Sequence, residues 1–430
     1  VLAFPALIGD SLSFVFFSEE KAESTHMGTA WTTIDGGVTA PVGFEAGAVN
    51  CGIRSETPDV ALLLSDRDAI LAGTFTSNRL AAAPVALCRE RVATGVGRAV
   101  IINSGNANAA TGAQGRVDAD RMAELTAETL GLAPDAVCVC STGTIGVPMP
   151  MDKLETGIKD LAGALSPEGG AAAARAILTT DLVPKEIALE LEIEGKPVRI
   201  GGMAKGSGMI DPNMATMLAY VTTDAALESA ALQDMLRDAV QDSFNRITVD
   251  GDESTNDTVL MLANGAAGNA PLQPDHADWP LFVQGVRDVC GQLARMIVKD
   301  GEGATKFVTV TVQGAKDDDE ARQAARAIAN SLLVKTSWFG CDPNWGRIYD
   351  AVGYAGVKVD ADTIEIKLDD FVAVSDGVVA GQTDLKSLEA VLQQDEFTVL
   401  VDLHLGNGSD TVYTCDCSYD YVRINSEYTT

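Results

Sequence analysis

Short β-rich runs alternate with stretches of helical apolar spacing along the whole chain. Residues 60–65, 99–103 and 136–140 read as strands, each bounded by Gly, Asn, Asp or Ser. Residues 118–130 and 151–165 carry apolar positions three and four apart, which predicts helices. A hairpin follows, with 187–193 and 197–200 flanking Glu194, Gly195 and Lys196. Next come a glycine-rich loop at 201–208, an apolar run at 217–221, and a helix that Asp224 would cap and that would run to about Phe244. The second half repeats the habit. Strands are expected at 258–263, 307–312, 363–368, 397–404 and 411–414, and helices at 279–298 and 320–333. Neither a long Pro/Ser linker nor a repeat of solenoid period interrupts this mixture. The pattern predicts an α+β fold of helices layered on antiparallel or mixed β-sheets.

Composition narrows the function classes. The 430 residues are 46% hydrophobic and 21% charged, a soluble globular balance too large for one simple core. A net charge of −30 argues against nucleic acid and anionic membranes as partners and suits a small cationic amine, although acidity that serves only solubility would look the same. Eight sparse cysteines in apolar surroundings fit a reducing compartment, and their spacing gives no metal site. With three histidines, none in a motif-like setting, histidine-based nucleophilic catalysis has few candidates. Residues 1–17 are apolar but lack a basic start and contain Pro5 and Asp10, too interrupted for a membrane span. Residues 1–33 are set aside as an extra N-terminal segment, extraneous or disordered.

The stretch that carries chemistry runs from Lys205 to Tyr220. Gly206 and Gly208 permit conformations closed to other residues, Asp211-Pro212-Asn213 is turn chemistry, and an apolar strand follows at once. Small Ala215 thus precedes the hydroxyl of Thr216 at a constrained junction, where Oγ could attack the Ala215 carbonyl. Cleavage there would give Thr216 a free α-amine of pKa about 8, a base for its own hydroxyl without any histidine. Local features alone leave open the plainer reading, a strand that begins with threonine after a glycine-rich loop.

The run Lys205-Gly-Ser-Gly-Met-Ile, then Pro212-Asn-Met-Ala-Thr216-Met-Leu, resembles the self-processing signature of the ornithine acetyltransferase family of arginine biosynthesis. Supporting blocks extend from Gly36 to the last residue. They start at Gly37, Asn103, Ser141, Asp250, Asp300, Asp342 and Arg423. The resemblance implies a fold like that of N-terminal-nucleophile enzymes and a cut between Ala215 and Thr216, giving an α chain of 34–215 and a β chain of 216–430. It implies acetyl transfer from N-acetylornithine to glutamate by a ping-pong route through acetyl-Thr216. No metal or cofactor is implied, and acetyl-CoA enters as co-substrate only if the enzyme is bifunctional. An α2β2 assembly in the cytoplasm is the further expectation.

Residue by residue, the resemblance makes Thr142 and Gly143 the oxyanion-stabilising pair, a hydroxyl and a backbone N–H converging at a strand end. Lys205, Thr179, Glu302, Asn425 and Thr430 become substrate contacts together with Thr216. The register leaves Thr180 as the alternative to Thr179. Lys205 would also depress the pKa of the new amine, and Glu302 between two glycines suits the ornithine amine. The acidic 250–257 run fails the EF-hand pattern, with Thr255 and Met261 where Gly and Glu are needed, and reads as a structural turn near the site. The glycine-rich loop lacks the ending of a phosphate loop. Two other functions compete. A hydrolase with the same nucleophile would pass the acyl group to water, and an interaction protein on this scaffold would not process itself.

Overall fold

The computed structural model describes residues 30–211, 217–381 and 384–427. A nine-stranded sheet is built from β1 (Trp31–Ile34), β2 (Phe44–Val49), β3 (Val60–Phe75), β4 (Val96–Asn106), β5 (Val137–Thr144), β6 (Lys185–Ile193), β7 (Lys196–Lys205), β8 (Leu218–Thr223) and β9 (Thr258–Ala263). Their order is β1-β6-β7-β8-β9-β3-β4-β5, with β2 also on β3. Among the described strands of this sheet, only β8–β9 and β4–β5 run parallel. A six-stranded sheet follows, of β10 (Phe307–Ala315), β11 (Glu365–Leu368), β12 (Phe371–Ser375), β13 (Val378–Val379), β14 (Glu396–Asp402) and β15 (Gly408–Cys415). The predicted α+β layering is what forms.

Both faces of the large sheet are covered. One core joins Leu218, Tyr220, Leu260 and Leu262 to helices Ala83–Thr94, Gly112–Leu130, Met151–Leu161 and Gly170–Ala176. A second joins Ala219, Val221, Val259 and Met261 to helices Ser229–Gln241 and Trp279–Lys299. Every residue of β8 and β9 is therefore buried, and these strands read as unbroken apolar runs rather than alternating ones. A third core lies between the small sheet and the helices from Asp318 onward.

Several elements differ from expectation, each for a local reason. The sheet begins at Trp31, inside the segment set aside from the sequence. β3 continues past Ser65 because a register shift between Leu64 and Ala69 carries polar residues 65–68 across the ladder. The expected glycine-rich loop from 201 is strand as far as Lys205. Gly201 and Gly202 are there because a Cβ would strike the Gly37 carbonyl and the Val289 and Leu293 side chains. Asp224 caps no helix: its carboxylate accepts the N–H groups of Val42 (3.0 Å) and Arg199 (2.8 Å), and the helix starts at Ser229. The single helix expected over 320–333 is two, Asp318–Ala329 and Leu332–Phe339, because Ser331 caps the second by accepting from the Val334 N–H. The C-terminal helix Tyr419–Glu427 was not anticipated.

Candidate active site

One end of the large sheet gathers the chemistry. β5 carries Thr142 and Gly143 there just before its last residue, Thr144, and β7 ends there in Lys205. Gly143 lies against Gly105, with φ +128° and so little room that a Cβ would stand 2.4 Å from the Gly105 carbonyl carbon. Only glycine fits that crossing. Loops at 179–181, 206–211, 254–256 and 300–303 and the C-terminal helix close round the same point. The resulting pocket is lined by Thr142, Gly143, Thr179, Thr180, Lys205, Glu302 and Asn425 among others, and encloses about 590 Å³ including its mouth.

A buried charge network holds these loops in place. Lys185 is fully buried at the start of β6, and its Nζ donates to Asp181 Oδ1 (2.7 Å) and Asp300 Oδ2 (2.6 Å). Asp181 also accepts the N–H of Gly206 (2.6 Å) and of Thr179 (3.1 Å), and lies 3.9 Å from Lys205 Nζ. One carboxylate thus ties the 179–181 loop to the end of β7. From the other side, Ser207 Oγ donates to the Asp300 carbonyl (2.6 Å) and the Glu302 N–H to the Ser207 carbonyl (2.8 Å). Asn425 then donates to Glu302 Oε2 (2.7 Å), and Ser418 Oγ to the Gly303 carbonyl (2.5 Å), which seats the C-terminal helix over the pocket.

The electrostatics follow from burial. Desolvation alone would raise the Asp181 pKa. The nearby Lys205 and Lys185 ammoniums and the bonds from Lys185 and Gly206 outweigh it and hold that carboxyl at about 2. Lys205 is 3% exposed, not the solvated lysine that composition would suggest, and burial lowers its pKa although Asp181, Asp257 and Glu302 pull the other way. Asp257 is buried, and desolvation pushes its pKa well up against the Met217 N–H, the Lys205 charge and a side-chain hydrogen bond from Ser254, all of which favour ionisation. Two lysines here face four carboxylates, Asp181, Asp257, Asp300 and Glu302.

Of the residues expected from the sequence, Thr142, Gly143, Thr179, Lys205, Glu302 and Asn425 come together on this pocket. Thr180 lines it as well, so both register alternatives reach it. Ala215, Thr216 and Thr430 lie outside the described residues. Met217, which follows Thr216, borders a small adjoining hollow shared with Thr142, Lys205 and Asp257. Asp181, Lys185, Asp300 and Asn256 were missed. Asn256 donates to the carbonyls of Ala107 (2.6 Å) and Ser141 (2.9 Å), fastening the acidic loop to β5 beside Thr142. Lys185 had a visible signal: it precedes Ile187, Leu189, Leu191 and Ile193 in step with their inward alternation, so the strand period points it inward too.

The model of the ArgJ family matches residues 45–430. A protein of Symbiobacterium thermophilum named arginine biosynthesis bifunctional protein ArgJ is 51% identical over 398 residues, covering 92% of this chain and 99% of the relative. One of the same name from Synechocystis sp. is 48% identical over 410 residues, covering 93% and 99%. A crystal structure of arginine biosynthesis bifunctional protein argJ from Bacillus halodurans is 45% identical, covers 50% of this chain and 100% of its own, and has a TM-score of 0.48. Matched by the family model from residue 45 to its end, and half identical to such a relative over nearly its whole length, the chain belongs to the ArgJ family.

Proposed function

We propose that this chain cuts itself between Ala215 and Thr216 and then moves acetyl from N2-acetyl-L-ornithine to L-glutamate through an acetyl-Thr216 ester. The observation that carries the reading is the convergence of Thr142, Gly143, Thr179, Lys205, Glu302 and Asn425, drawn from five separate parts of the chain, on one pocket. Processing forms the Oγ–carbonyl bond to Ala215 and breaks the peptide C–N bond, and the proton leaves Oγ for the departing nitrogen. Water then opens the ester. The α chain then ends at Ala215 and includes β1, and the β chain begins at Thr216.

In the transfer reaction the free α-amine of Thr216 takes the Oγ proton as Oγ adds to the acetyl carbonyl. Thr142 Oγ and the Gly143 N–H stabilise the oxyanion, worth roughly 3–4 kcal/mol for each well-aimed donor. Buried Lys205 biases the amine toward its neutral form by charge repulsion. Ornithine leaves with its amine protonated, and the glutamate amine attacks the ester in the return half. Glu302, on the pocket wall, is taken to meet the side-chain ammonium of the cationic substrate. Neither metal nor cofactor has a part, and acetyl-CoA would serve as a second donor of acetyl to glutamate. The active form is proposed to be an α2β2 assembly in the cytoplasm. No described helix is long and apolar enough to cross a membrane.

Incubating the processed protein with N-acetylornithine, with and without glutamate, tests the transfer. Sustained ornithine release should require glutamate. Release at the same steady rate without it would replace the transferase by a hydrolase.

A further inference from the structure

The acidic loop 250–257 lends Ser254, Thr255 and Asn256 to the pocket lining, and the carboxyl groups at both its ends grip backbone. Asp250 Oδ2 accepts the N–H of Met209 (2.6 Å), and its Oδ1 that of Ile210 (2.8 Å). Met209 has φ +57°, a left-handed conformation that strains a non-glycine residue and persists only where its surroundings enforce it. The Ile210 carbonyl accepts from Val249 N–H (2.7 Å) and Thr248 Oγ1 (3.0 Å), and the Asp211 carboxylate pairs with Arg326 and Asn330. At the other end of the loop, Asp257 is 2% exposed and its Oδ1 accepts the Met217 N–H (2.8 Å). The Met217 carbonyl accepts from Thr258, and β8 begins at once.

The chain is thus fastened up to Asp211 and again from Met217, and the Ala215–Thr216 junction lies in the short span between. One loop supplies the carboxylates on both sides. Asn256 fixes that loop to the Ser141 carbonyl, one residue from Thr142. We propose that Asp250 and Asp257 are positioning residues for self-cleavage, a clamp that sets the two ends of the scissile segment against the end of β5. This rests on the self-cleavage reading above. Attack of a threonine hydroxyl on its own preceding carbonyl demands a defined approach, and bonds to Ile210 and Met217 fix the points from which the chain makes it. The clamp exchanges no atoms: the proton still passes from Oγ to the leaving nitrogen.

The test follows chain cleavage in time on denaturing gels for the full chain and for Asp250→Ala, Asp257→Ala and Asp257→Asn. Thermal melting of each uncut chain is measured alongside. Asn269→Ala is the control. It releases Ala226 at the opposite end of β8 and destabilises without touching the clamp. Each clamp alanine should slow cleavage at least about tenfold, the scale of a small misplacement of reacting groups. Asp257→Asn, which keeps a carbonyl oxygen for the Met217 N–H, should recover most of the rate. Cleavage at the parental rate in both alanine variants would overturn the clamp, as would equal slowing by an Asn269→Ala chain of the same melting temperature. A parent chain that stays whole would overturn the self-cleavage reading and the clamp together.

Discussion

At the scale of single residues, the site is set by close approaches as much as by charge. A Cβ at Gly208 would stand 2.3–2.5 Å from the Glu302 carboxyl atoms, so Gly208→Ala must push that carboxylate off Asn425. If Glu302 meets the substrate ammonium, KM for N-acetylornithine should rise about tenfold, near 1.4 kcal/mol, with a smaller change in kcat. An unchanged KM in steady-state kinetics would remove Glu302 from substrate binding. Positions such as Gly143 and Gly208 are visible in a sequence only as glycines in a motif. What makes them irreplaceable is the neighbour that arrives from elsewhere, the Gly105 backbone in one case and Glu302 in the other.

Among the elements, the decisive contact joins β6 to two loops. Lys185 pairs with both Asp181 and Asp300 away from solvent, and breaking such a buried pair by removing one partner typically costs about 3–5 kcal/mol. Lys185→Met should lower unfolding stability by that order in denaturant titration, and with it loosen the 179–181 and 300–303 loops. A loss of under about 1 kcal/mol would show that the network is not what holds the pocket. The element pattern itself was largely readable. Apolar runs bounded by turn residues located β4, β5, β9 and β10, and helical spacing located the helix from Trp279. Reading failed where polar residues play unusual parts: residues 65–68 inside β3, Asp224 bonded to backbone instead of a helix start, and Ser331 restarting a helix. Each depends on a partner from a distant segment or on a register shift, which no local window contains.

For the whole molecule, acidity and buried charge make stability depend on pH in opposite senses. Asp181 is held at about 2 in the fold against an ordinary 3.8, so its contribution is present above about pH 4 and fades as pH falls toward 2. Asp250 and Asp257 are raised by burial, so theirs is full at low pH and declines as pH rises through their folded values. The stability gap between the parent and Asp181→Asn should therefore be widest near neutrality and narrow between about pH 4 and pH 2. A gap that widens on acidification would mean that the lysines do not hold that carboxyl ionised. The family blocks in the sequence reach the same pocket that the fold assembles. They named its lining side chains but not the buried lysine and aspartates beneath them, whose roles appear only once the loops are brought together. The most direct measurement is mass spectrometry of the purified protein mixed with N-acetylornithine and no glutamate. The expected result is two chains, one beginning Thr-Met-Leu-Ala-Tyr and carrying a single acetyl group on Thr216, removed when glutamate is added. An uncut chain, or an acetyl group on any other residue, would contradict the account.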